Sequence, residues 1–139
     1  DYSEKEYFSE VIKPHIDGKQ IHYIGEISKE QKSHFFGRAK ALLYPIEWDE
    51  PFGLVMAEAM ACGTPVIAYD RGSVSEIVED GVSGFVVKNN IAGLVAAMKK
   101  VDSIDRHACR ERVEKNFTIA RMVDGYEDIY YKILKNHKK

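Results

Sequence analysis

No residue type is concentrated enough in this 139-residue sequence to mark a specialised class of protein. It carries only two cysteines, Cys62 and Cys109, far apart and without partners, so no disulfide framework is expected and both are read as reduced core thiols. The five histidines, at positions 15, 22, 34, 107 and 137, show no spacing, among themselves or to a cysteine, that suggests a metal site, and none is expected. Long apolar runs are missing too. The longest, Leu94 to Met98, is five residues, where a membrane-spanning helix takes about 20. Twenty Lys plus Arg against 22 Asp plus Glu leave a net charge of -2, which excludes a bulk positive field for nucleic acid or an anionic membrane. Any anionic ligand has to be held locally. The opening stretch, Asp1 to Glu6, is acidic and has no apolar segment, so no signal peptide is expected there and the expected location is cytoplasmic.

What is present is an ordinary globular composition, 45% hydrophobic and 30% charged, at about the length of one domain. Ser3-x-x-Glu6 has the spacing of a capping box, and Tyr7, Phe8, Val11 and Ile12 follow at helical intervals, predicting a helix that ends near Pro14. Gln20 to Ile24 reads as a short strand. Ser28-x-x-Gln31 is a second capping box, opening a helix expected to turn Phe35, Phe36 and Ala39 toward the core. Three short apolar runs follow, Ala41–Tyr44, Val66–Tyr69 and Phe85–Val87, each bounded by Pro, Gly or Asp. Runs apolar on both faces belong to strands covered on both sides, the mark of a parallel sheet.

Helical stretches lie between and after them. They run from Gly53 to Cys62, from Ser73 to Val78 behind a third capping-box spacing (Ser73-x-x-Glu76), and from Ile91 to Lys100. The expected fold is therefore α/β, a Rossmann-like open parallel sheet with flanking helices. Asp80-Gly81 and Ser83-Gly84 carry turn chemistry ahead of the Phe85 run. The C-terminal third repeats Ile119, Met122, Val123, Tyr126, Ile129, Tyr130 and Ile133 at three and four residues, one wide apolar stripe. That stripe either packs on its own domain or docks on a partner domain. Lys135, Lys138 and Lys139 read as a solvated helix end.

One segment departs from ordinary scaffold, the stretch from Pro45 to Ala68, which leaves the first central strand and passes through a loop into a helix. In open α/β sheets ligands collect beyond the carboxyl ends of the strands. Gly53 near the helix start lets a ligand approach the backbone, and the free first-turn amides favour an anion such as phosphate. Glu58 lies about one and a half turns further in, among apolar residues, where a carboxylate needs donors, and a sugar diol supplies two. Glu50, in the loop before the helix, can accept bonds from the hydroxyls of a second ring. Spacing alone leaves the plainer alternative open, in which both glutamates are solvated helix-surface residues.

The wording of the segment goes further. Glu50-Pro51-Phe52-Gly53-Leu54-Val55-Met56-Ala57-Glu58-Ala59-Met60-Ala61-Cys62-Gly63-Thr64-Pro65-Val66-Ile67-Ala68 closely resembles the E-x7-E signature of retaining glycosyltransferases of the GT-B fold, of the group 1 or family-four type. Tyr23 to Ser28 is similar to the strand and loop beside the nucleotide base, and Gly72 to Val87 to the family's G-x-x-E-[IL]-V-x-D-G-x-x-G-x-L-V stretch. The resemblance covers roughly residues 20 to 100, with helical segments outside it. It implies a donor-binding domain over residues 1–139, the C-terminal domain of a GT-B enzyme truncated at its N-terminal side.

Carried over by position, Glu58 would bind the ribose hydroxyls and Glu50 the donor sugar, as the residue closest to the chemistry. The Phe52-Gly53-Leu54 backbone would lie against sugar and diphosphate, and Ile27 would line the base pocket. The implied reaction moves a sugar from a nucleotide-diphosphate donor, with retention, to a hydroxyl acceptor bound by a missing N-terminal domain, with no metal and no other cofactor. The helix at 118–139 would then pack on that domain. Peripheral membrane contact would come only through the missing half, and self-association through the open sheet edge is left open. Two departures stand out. The family's Gly-Arg strand and early Lys, which neutralise the leaving diphosphate, are not in this sequence, and Arg71-Gly72-Ser73 replaces a Gly-Gly pair. The alternative is a nucleotide-sugar-binding module without transfer activity, against which the intact Glu50, Gly53 and Glu58 speak.

Overall fold

The computed structural model describes residues 3–136 and divides into two units, residues 1–31 and 32–139. His137, Lys138 and Lys139 lie outside the described residues, and with them part of the expected solvated end. The first unit opens with helix α1 (Glu4–Tyr7), which continues as a π-helical stretch, Phe8–Ile12, and a 3-10 turn, Lys13–His15. The capping box forms as expected. The Ser3 amide donates to Glu6 Oε2 at 2.9 Å and the Glu6 amide to Ser3 Oγ at 3.4 Å. The Ser3 hydroxyl, which donates to Glu6 Oε2 at 2.7 Å, and after it the Ser3 amide hold the Glu6 carboxyl below its ordinary range.

The strand expected over Gln20–Ile24 is not there. The amides of Lys19, Gln20 and Ile21 donate instead to a single oxygen, Oδ1 of Asp17, at 2.8, 2.8 and 2.9 Å. With the amides of Gln20 and Ile21 taken by one local carboxylate, the start of the segment is turned to Asp17 rather than to a neighbouring strand. Ile21, Tyr23 and Ile24 are exposed, although Tyr23 leans on Phe8 with ring centroids 5.0 Å apart.

Helix α2 (Lys29–Arg38) starts at the second capping box, with Ser28 N to Gln31 Oε1 at 2.8 Å and Gln31 N to Ser28 Oγ at 3.3 Å. Its inward face is narrower than expected. Phe36 packs against the core, but Phe35 is 43% exposed. Adjacent positions on a helix point about 100° apart, so only one of the two can face a flat sheet.

The second unit is built on three parallel strands, β1 (Leu42–Tyr44), β2 (Val66–Tyr69) and β3 (Gly84–Val87), in spatial order β1-β2-β3. Leu42 pairs with Val66, and Val66 with Gly84. All four residues of β2 are buried. Between the strands run α3 (Leu54–Ala61) and α4 (Val74–Ile77), and after them come α5 (Ile91–Lys100), α6 (Arg106–Asn116) and α7 (Ile119–Asn136).

One face of the sheet meets Met56, Ala59, Met60, Val74, Ile77 and Cys109, and the other meets Ala97, Val101 and Leu94. Met56 and Met60 are fully buried, each contributing roughly 1.5–3 kcal/mol of apolar burial. The parallel α/β expectation therefore holds, and it holds for the anticipated reason: the apolar runs are sandwiched between helices. Cys109 lies in this core and Cys62 is half-buried, both as free thiols.

The C-terminal stripe resolves differently. No described residue of α7 is buried, and Ile119, Met122, Val123, Tyr126, Ile129, Tyr130 and Ile133 are all at least 44% exposed. The helix therefore does not cover its apolar face with its own unit. No helix among the described residues is long and apolar enough to cross a membrane.

Candidate functional site

Strand β1 hands the chain to the loop 45–53, and β2 hands it to the loop 70–73, so both loops lie beyond the carboxyl ends of parallel strands. The first loop ends at Gly53, which takes a left-handed conformation (φ 76°, ψ 63°) immediately before α3. A Cβ at Gly53 would stand 2.5 Å from Met56 Cε and 3.2 Å from Glu50 Cγ. Glycine is thus demanded twice, by backbone angle and by space. It lets the chain turn sharply into α3 with the amides of Leu54 and Val55 lacking any acceptor within the helix.

Glu50 sits beside that turn, held by three donors. The Gly53 amide donates to its Oε1 at 3.2 Å, the Trp48 indole Nε1 donates to Oε2 at 3.0 Å, and the Tyr44 hydroxyl reaches Oε2 at 3.5 Å. Burial pushes the Tyr44 phenol above its ordinary range, and the charge of Glu50 and its hydrogen bond push the same way. Tyr44 therefore stays a protonated donor. A carboxylate at a helix start also gains from the positive end of the dipole. Because Glu50 occupies the Gly53 amide, the anion seat foreseen at this turn narrows to the amides of Leu54 and Val55.

Glu58 is half-exposed on α3, and the donors it needs come from a protein group. Lys32 Nζ lies 2.9 Å from Oε1 and 3.0 Å from Oε2. The expectation of a carboxylate among apolar neighbours, short of donors, is corrected here. Lys32 lies 26 residues away on α2, and no local spacing links the two.

A second correction concerns Ser73. It does not cap α4: its hydroxyl donates across the loops to the Phe52 carbonyl at 2.8 Å, and its amide donates to the Glu50 carbonyl at 3.0 Å. Gly72 (φ 49°) lies so close that a Cβ there would stand 2.5 Å from both the backbone nitrogen and the carbonyl oxygen of Glu50. Gly72 and Ser73 therefore clamp the loop that carries Glu50. Ser73-x-x-Glu76 has capping-box spacing, but Ser73 is in the helical region (φ -79°, ψ -2°) rather than extended as a cap requires, and the Glu76 amide donates to the Ser73 carbonyl at 3.0 Å instead of to its hydroxyl.

Among the remaining candidates, the Phe52 ring packs edge-on against Phe117 at 5.9 Å, and the Phe52 and Leu54 side chains line an open groove with residues of α7. Their side chains thus face that groove, which leaves their backbone for the loop. Ile27 belongs to the first unit and is half-buried. Tyr44, Trp48 and Lys32 are not singled out by the sequence as site residues, and Gly72 and Ser73 stand out there only as a departure from a Gly-Gly pair and as a capping-box spacing, not as a clamp on the Glu50 loop. Of the first three, only Trp48, the single tryptophan and two residues before Glu50, carried a local signal.

This architecture, an open parallel three-stranded sheet with flanking helices, is of the GT-B glycosyltransferase type. The fold is similar to that of sucrose-phosphate synthase from Thermosynechococcus elongatus, with a TM-score of 0.75 and 26% identity over 96% of this chain and 35% of that one. It is equally similar to a glycosyltransferase involved in avilamycin A biosynthesis, with a TM-score of 0.74 and 25% identity over 95% of this chain and 41% of that one.

Residues 1–116 match the family model described as glycosyl transferases group 1, and the chain belongs to that family. The match extends beyond the 20–100 range read from the sequence. Among curated relatives, an uncharacterized 41.2 kDa protein in the cps region of Klebsiella pneumoniae is 32% identical over 83% of this chain and 33% of its own length. The N-acetyl-alpha-D-glucosaminyl L-malate synthase of Bacillus anthracis is 33% identical over 64% of this chain and 25% of its own. The O-antigen chain mannosyltransferase B of Escherichia coli is 36% identical over 63% and 20%. The chain thus spans a third or less of the length of these relatives.

Proposed function

We propose that this chain is the donor-binding part of a retaining glycosyltransferase that moves a sugar from a nucleotide-diphosphate donor to a hydroxyl acceptor, the acceptor being held by another part of the protein. In this reading the segment 50–58 is the E-x7-E signature. Glu58 accepts hydrogen bonds from the ribose hydroxyls and Glu50 from those of the donor sugar. The amides of Leu54 and Val55 receive the diphosphate. As the bond between the anomeric carbon and the diphosphate breaks, negative charge grows on the leaving phosphate. Preorganised amides at a helix start stabilise such charge without reorganising and without a metal. A cytoplasmic location follows the supply of nucleotide sugars.

The observation that carries the proposal is the turn itself: a left-handed Gly53, a Glu50 carboxylate fixed beside it by Trp48 and Gly53, and unspent amides one residue on. The test is made on the intact protein with a panel of nucleotide-diphosphate sugars and hydroxyl acceptors. Glu50→Gln is expected to lower kcat by about 100-fold, the scale of a lost charged contact at a reacting centre. Glu58→Gln is expected to weaken donor binding by about 10-fold, the low end for a hydrogen bond to a charged group. Proton NMR of the product should show the donor's anomeric configuration retained, and an excess of the chelator EDTA should leave the rate unchanged. Full activity in both variants, or an inverted product, would overturn the reading.

A further inference from the structure

The ion pair between α2 and α3 blocks the part of Glu58 that a sugar would need. A single ammonium, Lys32 Nζ, stands 2.9 Å from Oε1 and 3.0 Å from Oε2 of Glu58. An ammonium equidistant from both oxygens takes the two acceptor positions that converge in front of the carboxylate, and the two left over point apart. Two hydroxyls on neighbouring carbons need that same convergent pair, one hydroxyl to each oxygen, as any bidentate donor does. The lysine and a vicinal diol therefore exclude one another at Glu58.

The lysine can leave without any movement of the helix that carries it. The C-terminal end of α2 is fastened: Thr64 Oγ1 donates to the Phe36 carbonyl, and Arg106 donates from Nη1 to the Ala39 carbonyl at 2.8 Å and from Nη2 to the Gly37 carbonyl at 2.9 Å. Phe36 itself packs on the core. The two paired side chains, in contrast, are 33% and 43% exposed. A pair so open to water is held weakly, and the long lysine stem carries its charge into solvent by turning its own torsions. While it is closed, the ammonium also cancels a carboxylate charge that would repel an anionic nucleotide.

We infer that Lys32 is a competitive stopper on Glu58: it holds the carboxylate closed, and the ribose hydroxyls must displace it before Glu58 binds them. The inference rests on the reading of Glu58 as the ribose ligand. Its consequence runs opposite to that of a contact residue, because removing Lys32 strengthens the ribose interaction.

The experiment is calorimetric titration of the intact protein with UDP, GDP and ADP, each beside its 2′,3′-dideoxy counterpart, which keeps base and phosphates but makes no demand on Glu58. The quantity read is the ratio of the two affinities for the base that binds, so that any effect of the Lys32 charge on the phosphates cancels. The wild type is expected to prefer the ribonucleotide by about 10-fold. Lys32→Met should prefer it by about 30-fold, the further factor of about 3 being the scale of a pair this exposed. Lys32→Arg, whose planar fork spans both oxygens, keeps the carboxylate closed and should show no rise. Raising KCl from about 50 to about 500 mM screens the pair, which should lift the wild-type ratio toward that of Lys32→Met and leave the variant's ratio where it is.

An unchanged ratio in Lys32→Met would show a pair with no hold on the ligand, and a lower one a lysine that itself serves the ribose. Either result overturns the inference. Glu58→Ala should bring the ratio near one with or without Lys32, and a rise on Lys32→Met that persists in the Glu58→Ala background would place the lysine's action elsewhere and overturn it too. If Glu58→Ala alone leaves the wild-type ratio intact, the ribose reading of Glu58 fails, and that arm involves no change at Lys32.

Discussion

Replacing Gly72 by alanine tests whether the loop carrying Glu50 is held by backbone packing rather than by its own residues. The substitution acts in two ways that the structure separates. At φ 49° an alanine pays the left-handed penalty, roughly 1–2 kcal/mol. Its methyl would also stand 2.5 Å from the nitrogen and carbonyl oxygen of Glu50 and 2.8 Å from the Asp49 carbonyl carbon, where ordinary contact begins at 3.4 Å. The neighbours are backbone, so no side chain can swing aside, and the loop has to move by about 1 Å. A shift of that size at a reacting centre costs on the order of 100-fold in rate.

Gly81 provides the control. It is also left-handed, at φ 74°, but a Cβ there meets nothing within 4 Å. Gly81→Ala should therefore show the conformational penalty alone, with transfer activity unchanged. Gly72→Ala should lose about 2 kcal/mol more in urea unfolding and about 100-fold in kcat, because the bond from the Ser73 amide to the Glu50 carbonyl and the bond from the Ser73 hydroxyl to the Phe52 carbonyl are pulled apart. Equal destabilisation by the two variants, with kcat intact in both, would refute the clamp.

Arg106→Met should destabilise the intact protein by about 2 kcal/mol in the same assay, since three acceptors, the carbonyls of Gly37 and Ala39 and the hydroxyl of Thr64, lose a charged donor at once. An effect below about 0.5 kcal/mol would mean that the Arg106 bonds do not hold α2 in place. Cys109 is buried, and that burial pushes its thiol up to about 11. The native thiol should resist iodoacetamide at pH 8 and react only on unfolding. Because the folded state keeps a proton that the unfolded chain gives up, its contribution to stability is complete below pH 9 and falls as pH rises from about 9 to 11. Rapid native alkylation of Cys109, followed by mass spectrometry, would contradict its place in the core.

The amino-acid sequence by itself determined the parallel sheet, because Val66–Tyr69 is apolar at every position and only a strand covered on both faces accepts that pattern. It likewise determined the two capping boxes at Ser3 and Ser28 and the turn at Gly53, since these depend on residues within four positions of one another. Where a local pattern had a distant competitor, tertiary structure decided. The Phe52 carbonyl, 21 residues away, drew the Ser73 hydroxyl across the loops, whereas the strand expected over Gln20–Ile24 was lost to a local competitor, Asp17, which takes the amides of Gln20 and Ile21. Phe35 and Phe36 are equally apolar, and only the position of the sheet decides which is buried.

The candidate site divides along the same line. Glu50, Gly53 and Glu58 lie on one continuous segment and could be read as a unit. Lys32 and Gly72 come to that segment from 26 and 22 residues away. Contacts over such separations leave no periodicity in the chain, because they are set by how α2 and the β2 loop pack against the sheet rather than by any spacing along it.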